Sequence, residues 1–110
     1  MTPFPDKINI LGTDFSIAYV DKPSDVDLHG YKALWGQIDY WTSTIRVYKN
    51  KRPSYDIWHT IFHEVLHGIC ERLKLEELNE NEDAIDLLVL GLMDVLGRNK
   101  FIDFEKEVEE

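Results

Sequence analysis

His63-Glu64-Val65-Leu66-His67 carries the strongest signal in this chain, because its spacing matches the HExxH pattern of metal sites built on a helix. On a helix the two histidines lie one turn apart on the same face, so both imidazoles can reach one ion. Glu64 lies about 100° further round, where its carboxylate can contact a metal-bound water. Zinc suits this nitrogen-rich arrangement.

The residues around the motif predict the helix that it requires. Helix signals begin at Pro53 and Ser54, with Asp56 in the first turn, and continue to Leu73. The apolar side chains of this segment form one broad arc, and the histidines and Glu64 fall outside it. The arc comprises Ile57, Trp58, Ile61, Phe62, Val65, Leu66, Ile69 and Leu73. One face of the helix is therefore expected to pack, and the other to hold polar groups.

A zinc site needs at least one more protein ligand, and the histidine count limits the choice. The chain contains His29, His59, His63 and His67. Leu73 stands where the last ligand of a three-histidine site would be, so that extended pattern is excluded. Residues 81–86, Asn-Glu-Asp-Ala-Ile-Asp, offer carboxylates instead.

Glu82 is a candidate third ligand that lies on a second predicted helix, residues 78–97. Glu82 and Asp86 share a stripe with Ile85, Val89, Leu92 and Met93, at the mouth of an apolar helix–helix contact. A carboxylate in such a contact is costly unless it is paired or binds a metal. The alternative ligands are His59, Cys70, Glu80 and Asp83. His59 also fits a histidine at the rim, and Cys70 a small buried side chain. Glu82 itself also fits an acidic residue in the first turn of a helix, where the helix dipole favours negative charge.

The first half of the chain predicts strands, so the expected fold class is α+β, with antiparallel hairpins followed by helices. Residues 7–11 and 15–20 flank the turn signal Gly12-Thr13-Asp14, and residues 34–41 and 44–48 flank Thr42-Ser43. Gly36 is a candidate β-bulge, and residues 22–32 are expected to form a loop or an irregular helical turn. Residues 1–104 are predicted to form a single domain, followed by an acidic tail over residues 105–110.

Composition restricts the partners and the compartment. The formal net charge is -9, so a nucleic-acid backbone is not an expected partner. The single cysteine excludes an internal disulfide and fits a reducing compartment. The sequence has no apolar run of signal-peptide or membrane-spanning length, which predicts a cytoplasmic location without a membrane partner.

HExxH combined with the NExxxD spacing of residues 81–86 resembles the thermolysin-like gluzincins, a group of zinc metallopeptidases with a zincin-like fold. The order of strand, loop, HExxH helix and acidic ligand is similar to that of the ImmA/IrrE-type peptidases of phages and mobile elements. The resemblance implies that His63, His67 and Glu82 bind one Zn²⁺, and that Asp86 accepts a hydrogen bond from His63. It also implies that an edge strand binds the protein or peptide substrate, and residues 44–48 are the candidate by chain order.

The same resemblance implies hydrolysis of a peptide bond by a zinc-activated water, with Glu64 as general base and then as acid. The family commonly stabilises the oxyanion with a histidine or tyrosine. The candidate proton donors here are Tyr48, Tyr55, His59 and Tyr40, in that order. A second hypothesis is a non-catalytic, zinc-stabilised binding module of phage or mobile-element origin, although such a module has no use for Glu64. A third is an α+β interaction domain without a metal, which predicts no zinc in the purified protein.

Overall fold

A computed structural model describes residues 4–27 and 34–105 of the chain. The described part contains a four-stranded sheet and three α-helices, which confirms the α+β class. In chain order the elements are β1 (Lys7–Ile10), β2 (Thr13–Val20), a 3-10 turn (Pro23–Asp25), β3 (Gly36–Asp39), β4 (Thr44–Tyr48), α1 (Ser54–Leu73), α2 (Glu76–Asn79) and α3 (Glu82–Arg98). His29, the end of the predicted loop over residues 22–32 and tail residues 106–110 lie outside the described ranges.

Both predicted hairpins are present in the sheet. β1 pairs with β2, and β3 pairs with β4, each pair antiparallel. Gly12 makes the first turn possible, because its φ of 93° lies in a region that residues with a Cβ atom rarely adopt. The register from Gly36 opposite Val47 to Asp39 opposite Thr44 has no extra residue, so the expected bulge at Gly36 is wrong.

The pairing between the hairpins corrects the predicted edge strand. β2 and β4 are parallel neighbours, which gives the strand order β1-β2-β4-β3. In the part of the chain that the structure describes, residues 44–48 therefore lie inside the sheet, and β3 is an edge strand, as is β1. The prediction followed chain order, but the first hairpin occupies the free side of β4 and leaves β3 outermost.

Helix α1 has the predicted bounds, Ser54–Leu73. Pro53 precedes its first turn, and Lys74 ends it in a left-handed conformation with φ of 60°. The helix packs Ile57 and Ile61 against Phe4 and the strand residues Ile10, Phe15, Ile17, Ile45 and Val47, which together form the main core. Fully burying each such aliphatic side chain stabilises the fold by about 1.5–3 kcal/mol. Leu73 is an exception to the predicted arc, since it is 54% exposed at the helix end.

The second predicted helix is divided into two. α2 ends at Asn79 and α3 begins at Glu82, because the side chain of Asn81 caps the new helix by accepting from the backbone N–H of Ala84. α3 buries Ile85, Val89 and Met93 in a second core with Cys70 and Phe104. Leu92 does not share that buried stripe and is 37% exposed. No described helix has the length and apolar character needed to cross a bilayer.

Candidate metal site

Two histidines of α1 and the first residue of α3 converge on one point. His63 Nε2 lies 2.9 Å from one oxygen of Glu82, and His67 Nε2 lies 3.0 Å from the other. The two Nε2 atoms are 3.2 Å apart. The short α2 turns the chain back after α1, and the cap at Asn81 starts α3 so that Glu82 opposes both rings.

The opposite nitrogen of each ring is held by another side chain. His63 Nδ1 lies 2.8 Å from Asp86 Oδ1, and His67 Nδ1 lies 2.6 Å from Asn79 Oδ1. Carboxylate and amide oxygens only accept hydrogen bonds, so each Nδ1 donates and carries the proton. In the neutral rings this leaves both Nε2 atoms as acceptors that face the same point.

The convergence of acceptors favours a cation between them. Two nitrogen lone pairs and a carboxylate this close together repel one another unless positive charge lies among them. Ligand atoms around a tetrahedral zinc ion are about 3.3 Å apart for bonds of about 2.0–2.1 Å, close to the observed spacing. The donor set therefore fits zinc. Among the described residues, the group able to hold a metal consists of His63, His67 and Glu82, and we call it the metal-ligand group. It does not include the alternatives His59, Cys70, Glu80 or Asp83.

Glu64 is a buried carboxylate beside this group. It is 7% exposed, and burial raises its pKa, an effect that the nearby rings of His63 and His67 oppose. Strand β3 passes directly over it: a Cβ built on Gly36 would lie 3.2 Å from Glu64 Oε2. Glu64 is thus packed between α1 and the sheet edge with one side toward the site, which suits a general base.

A cleft of about 1010 Å³ runs along α1 between the metal-ligand group and β3. Its walls include all three predicted ligands, Glu64, Asp86 and three of the four β3 residues, Gly36, Gln37 and Ile38. Lys51 and Arg52 lie in the lining together with Trp35, and Arg52 places its guanidinium 4.5 Å from the Trp35 ring centroid.

The four candidate proton donors lie in different places. His59 lines the cleft, and burial lowers its pKa, which keeps the ring neutral near pH 7. Tyr40 also lines the cleft and donates its hydroxyl hydrogen to His67 O at 3.2 Å. Burial and the charge of Glu71 raise the pKa of Tyr40 to about 12, so it remains protonated.

Tyr48 and Tyr55 are absent from the described residues that line the cleft. The Tyr48 ring lies 5.7 Å from Trp35, and Tyr55 packs edge-on against Phe104 in the second core. Cys70 is 3% exposed in that same core, as expected for a small buried side chain.

Two contributors were not identified from the sequence. Asn79 holds His67, but nothing in its neighbourhood indicated that α2 would end opposite the ring. Gly36 allows β3 to approach α1, and the sequence signal of an isolated glycine in a strand was interpreted as a bulge instead.

Comparisons with protein-family models, curated protein sequences and solved structures gave no match to this chain.

Proposed function

We propose that this protein is a zinc-dependent peptidase of the gluzincin type, with His63, His67 and Glu82 as the zinc ligands. The observation that carries the proposal is the convergence of three acceptor atoms beside a buried carboxylate, with both Nδ1 atoms held by other side chains. A purely structural site explains the ligands but not the position of Glu64.

Zinc bound here would supply a Lewis acid that lowers the pKa of water toward about 7 and polarises a carbonyl. Asp86 and Asn79 hold the two rings with Nε2 toward the ion. Glu64 accepts the proton of the attacking water and passes it to the leaving amine, for which its raised pKa is suited. His59 lines the cleft and can donate to the developing oxyanion, and Tyr40 can do so once its hydroxyl leaves the His67 carbonyl oxygen.

The substrate of this proposal is an extended peptide segment. β3 is an edge strand, and its residues Gly36, Gln37 and Ile38 form one wall of the cleft. An extended chain can pair with such an edge through main-chain hydrogen bonds, and side-chain pockets then add selectivity. Strand addition to β3 would bring the peptide backbone alongside Glu64 and the metal ligands.

Replacement of Glu64 by Gln tests the proposal. The zinc-loaded protein is incubated with a random peptide library, cleavage is followed by mass spectrometry, and zinc is measured in the same samples. We expect cleavage by the native protein, at least a 100-fold loss in Glu64→Gln, and unchanged zinc content. Thr60→Ser, one turn earlier on α1, is the matched control and should keep most activity.

Two results would count against the peptidase. Cleavage by Glu64→Gln at the native rate would exclude its role as general base. Zinc binding without cleavage of any library member would instead favour the zinc-stabilised binding module.

A further inference from the structure

The outward surface of α3 is apolar where a solvent-facing helix is normally polar. Leu87 is 69% exposed, Leu88 50%, Leu92 37% and Val95 52%. We call these four residues, with Gly91 at their centre, the outer face of α3. A helix that is apolar on all sides is usually buried on all sides. The outer face is a patch of four neighbouring exposed apolar side chains, which is less common on a free surface than a single exposed leucine.

The outer face lies opposite the buried side of the same helix. Ile85, Val89 and Met93 face the second core, whereas a Cβ built on Gly91 would meet nothing within 4 Å. Gly91 costs helix stability relative to alanine, yet it occupies the centre of the exposed surface. A residue without a side chain at that point permits close approach of another helix backbone.

Charge indicates what kind of surface fits the outer face. The first turn of α3 is acidic through Glu82 and Asp83, and its end is basic through Arg98, followed by Lys100. An antiparallel helix of the same sequence, centred on Gly91, would set Asp83 near the partner's Arg98 and Leu87 against the partner's Val95. Arg98 contacts Asp94 through Nε at 2.6 Å, and a guanidinium has further N–H donors for a second carboxylate. The helix dipoles would also run in opposite directions.

We propose that the outer face of α3 binds a second copy of this chain, forming a twofold-symmetric dimer with antiparallel α3 helices. Such a contact is self-complementary and closes with two subunits. A 17-residue helix is only about 25 Å long, so the interface is small and the expected affinity is in the micromolar range. The proposal does not depend on metal binding or peptidase activity.

Sedimentation velocity from about 1 µM to about 500 µM tests the dimer. We expect a monomer at the low end, a dimer at the high end, and no larger species. Leu88→Glu should weaken association at least tenfold, because it places a charge in the apolar contact. Leu11→Glu is the matched control: Leu11 has a similar exposure of 52%, but it lies in the turn between β1 and β2 and should associate normally.

The charge pair supplies a second test that does not remove apolar surface. Arg98→Glu should weaken the dimer, and adding Asp83→Lys in the same chain should restore it. A folded protein that stays monomeric at every concentration would overturn the proposal and leave the outer face to a different protein. Equal weakening by Leu88→Glu and Leu11→Glu would overturn it as well.

Discussion

The residues that bind or orient the two imidazoles of the candidate metal site differ in how well the sequence predicted them. His63 and His67 were predicted as a pair because a helix fixes which residues share a face, and Glu82 and Asp86 were predicted from the resemblance of residues 81–86 to the gluzincins. Asn79 was not predicted, since its contact with His67 depends on where α2 ends and how the chain turns. Spacing within a helix can be read directly from a sequence, whereas contacts across a turn cannot.

Asp86→Ala should lower zinc affinity about 10- to 100-fold, because the His63 ring loses the acceptor that orients it. Asn79→Ala should act similarly through His67. Competition with a chromophoric chelator measures both affinities. Asp83→Ala is the control on the same helix turn, because Asp83 does not belong to the metal-ligand group. An affinity in Asp86→Ala equal to that of the control would exclude the orienting role.

Tyr19 should make the protein sensitive to alkali. Burial, and to a smaller extent the charge of Asp6, raise the pKa of Tyr19 above its ordinary value of 10.0, and its hydroxyl donates to Pro5 O. Below pH 10 the tyrosine is neutral in both the folded and the unfolded chain, so its full contribution to the free energy of unfolding is present. Above that pH the unfolded chain ionises first, and the free energy of unfolding falls.

Chemical denaturation of Tyr19→Phe between pH 7 and pH 12 tests this dependence. The variant should lose about 1 kcal/mol at neutral pH with the hydrogen bond, and should decline less steeply above pH 10. Some decline should remain, because the pKa of Tyr40 is also raised. Parallel curves for the two proteins above pH 10 would contradict the assignment.

Strand β3 and helix α1 approach each other so closely at Gly36 that a larger side chain does not fit between them. A Cβ on Gly36 would lie 2.5 Å from the γ-methyl of Thr60, and threonine is stiff about its first torsion on a helix. Gly36→Ala should therefore lower the free energy of unfolding by about 1–3 kcal/mol and displace Glu64. Urea denaturation measures the first effect and peptide cleavage the second.

Thr60→Ser in the Gly36→Ala background should recover much of that loss. Serine removes the clashing methyl but keeps the hydroxyl, which accepts from Arg52 and donates to the Asp56 backbone oxygen. A double variant as unstable as Gly36→Ala alone would mean that the close approach to Thr60 is not the cause.

The elements differ in how far the sequence predicted them. The bounds of α1 and the two hairpins follow from local signals: an amphipathic repeat, Gly12 in a tight turn, and alternating strands. The parallel pairing of β2 with β4 joins segments almost 30 residues apart, and the sequence holds no local signal for it. The identity of the edge strand depended on that pairing and was therefore predicted wrongly.

In the molecule as a whole, the metal-ligand group connects helix α1 with helix α3. α1 packs on the sheet and α3 packs on α1 through the second core, while His63, His67 and Glu82 link the two helices at the cleft. Zinc at 100 times its dissociation constant should stabilise the fold by about 2.7 kcal/mol. For a domain of this size the thermal midpoint should rise by about 10 °C.

A thermal scan with and without a chelator checks this effect, and His63→Ala is its control. The variant should unfold near the temperature of the chelated native protein and should not respond to zinc. A native protein whose midpoint is the same with zinc and with chelator would show that the ligands do not hold a metal in the folded state.

Zinc stoichiometry tests the proposed metal site, and it can be measured by equilibrium dialysis and elemental mass spectrometry on the native protein, His63→Ala and Glu82→Ala. We expect one zinc per native chain, and loss of that zinc from both variants at the same free zinc concentration. No zinc in the native protein, or one zinc per chain in all three proteins, would contradict the assignment of His63, His67 and Glu82 as the metal site.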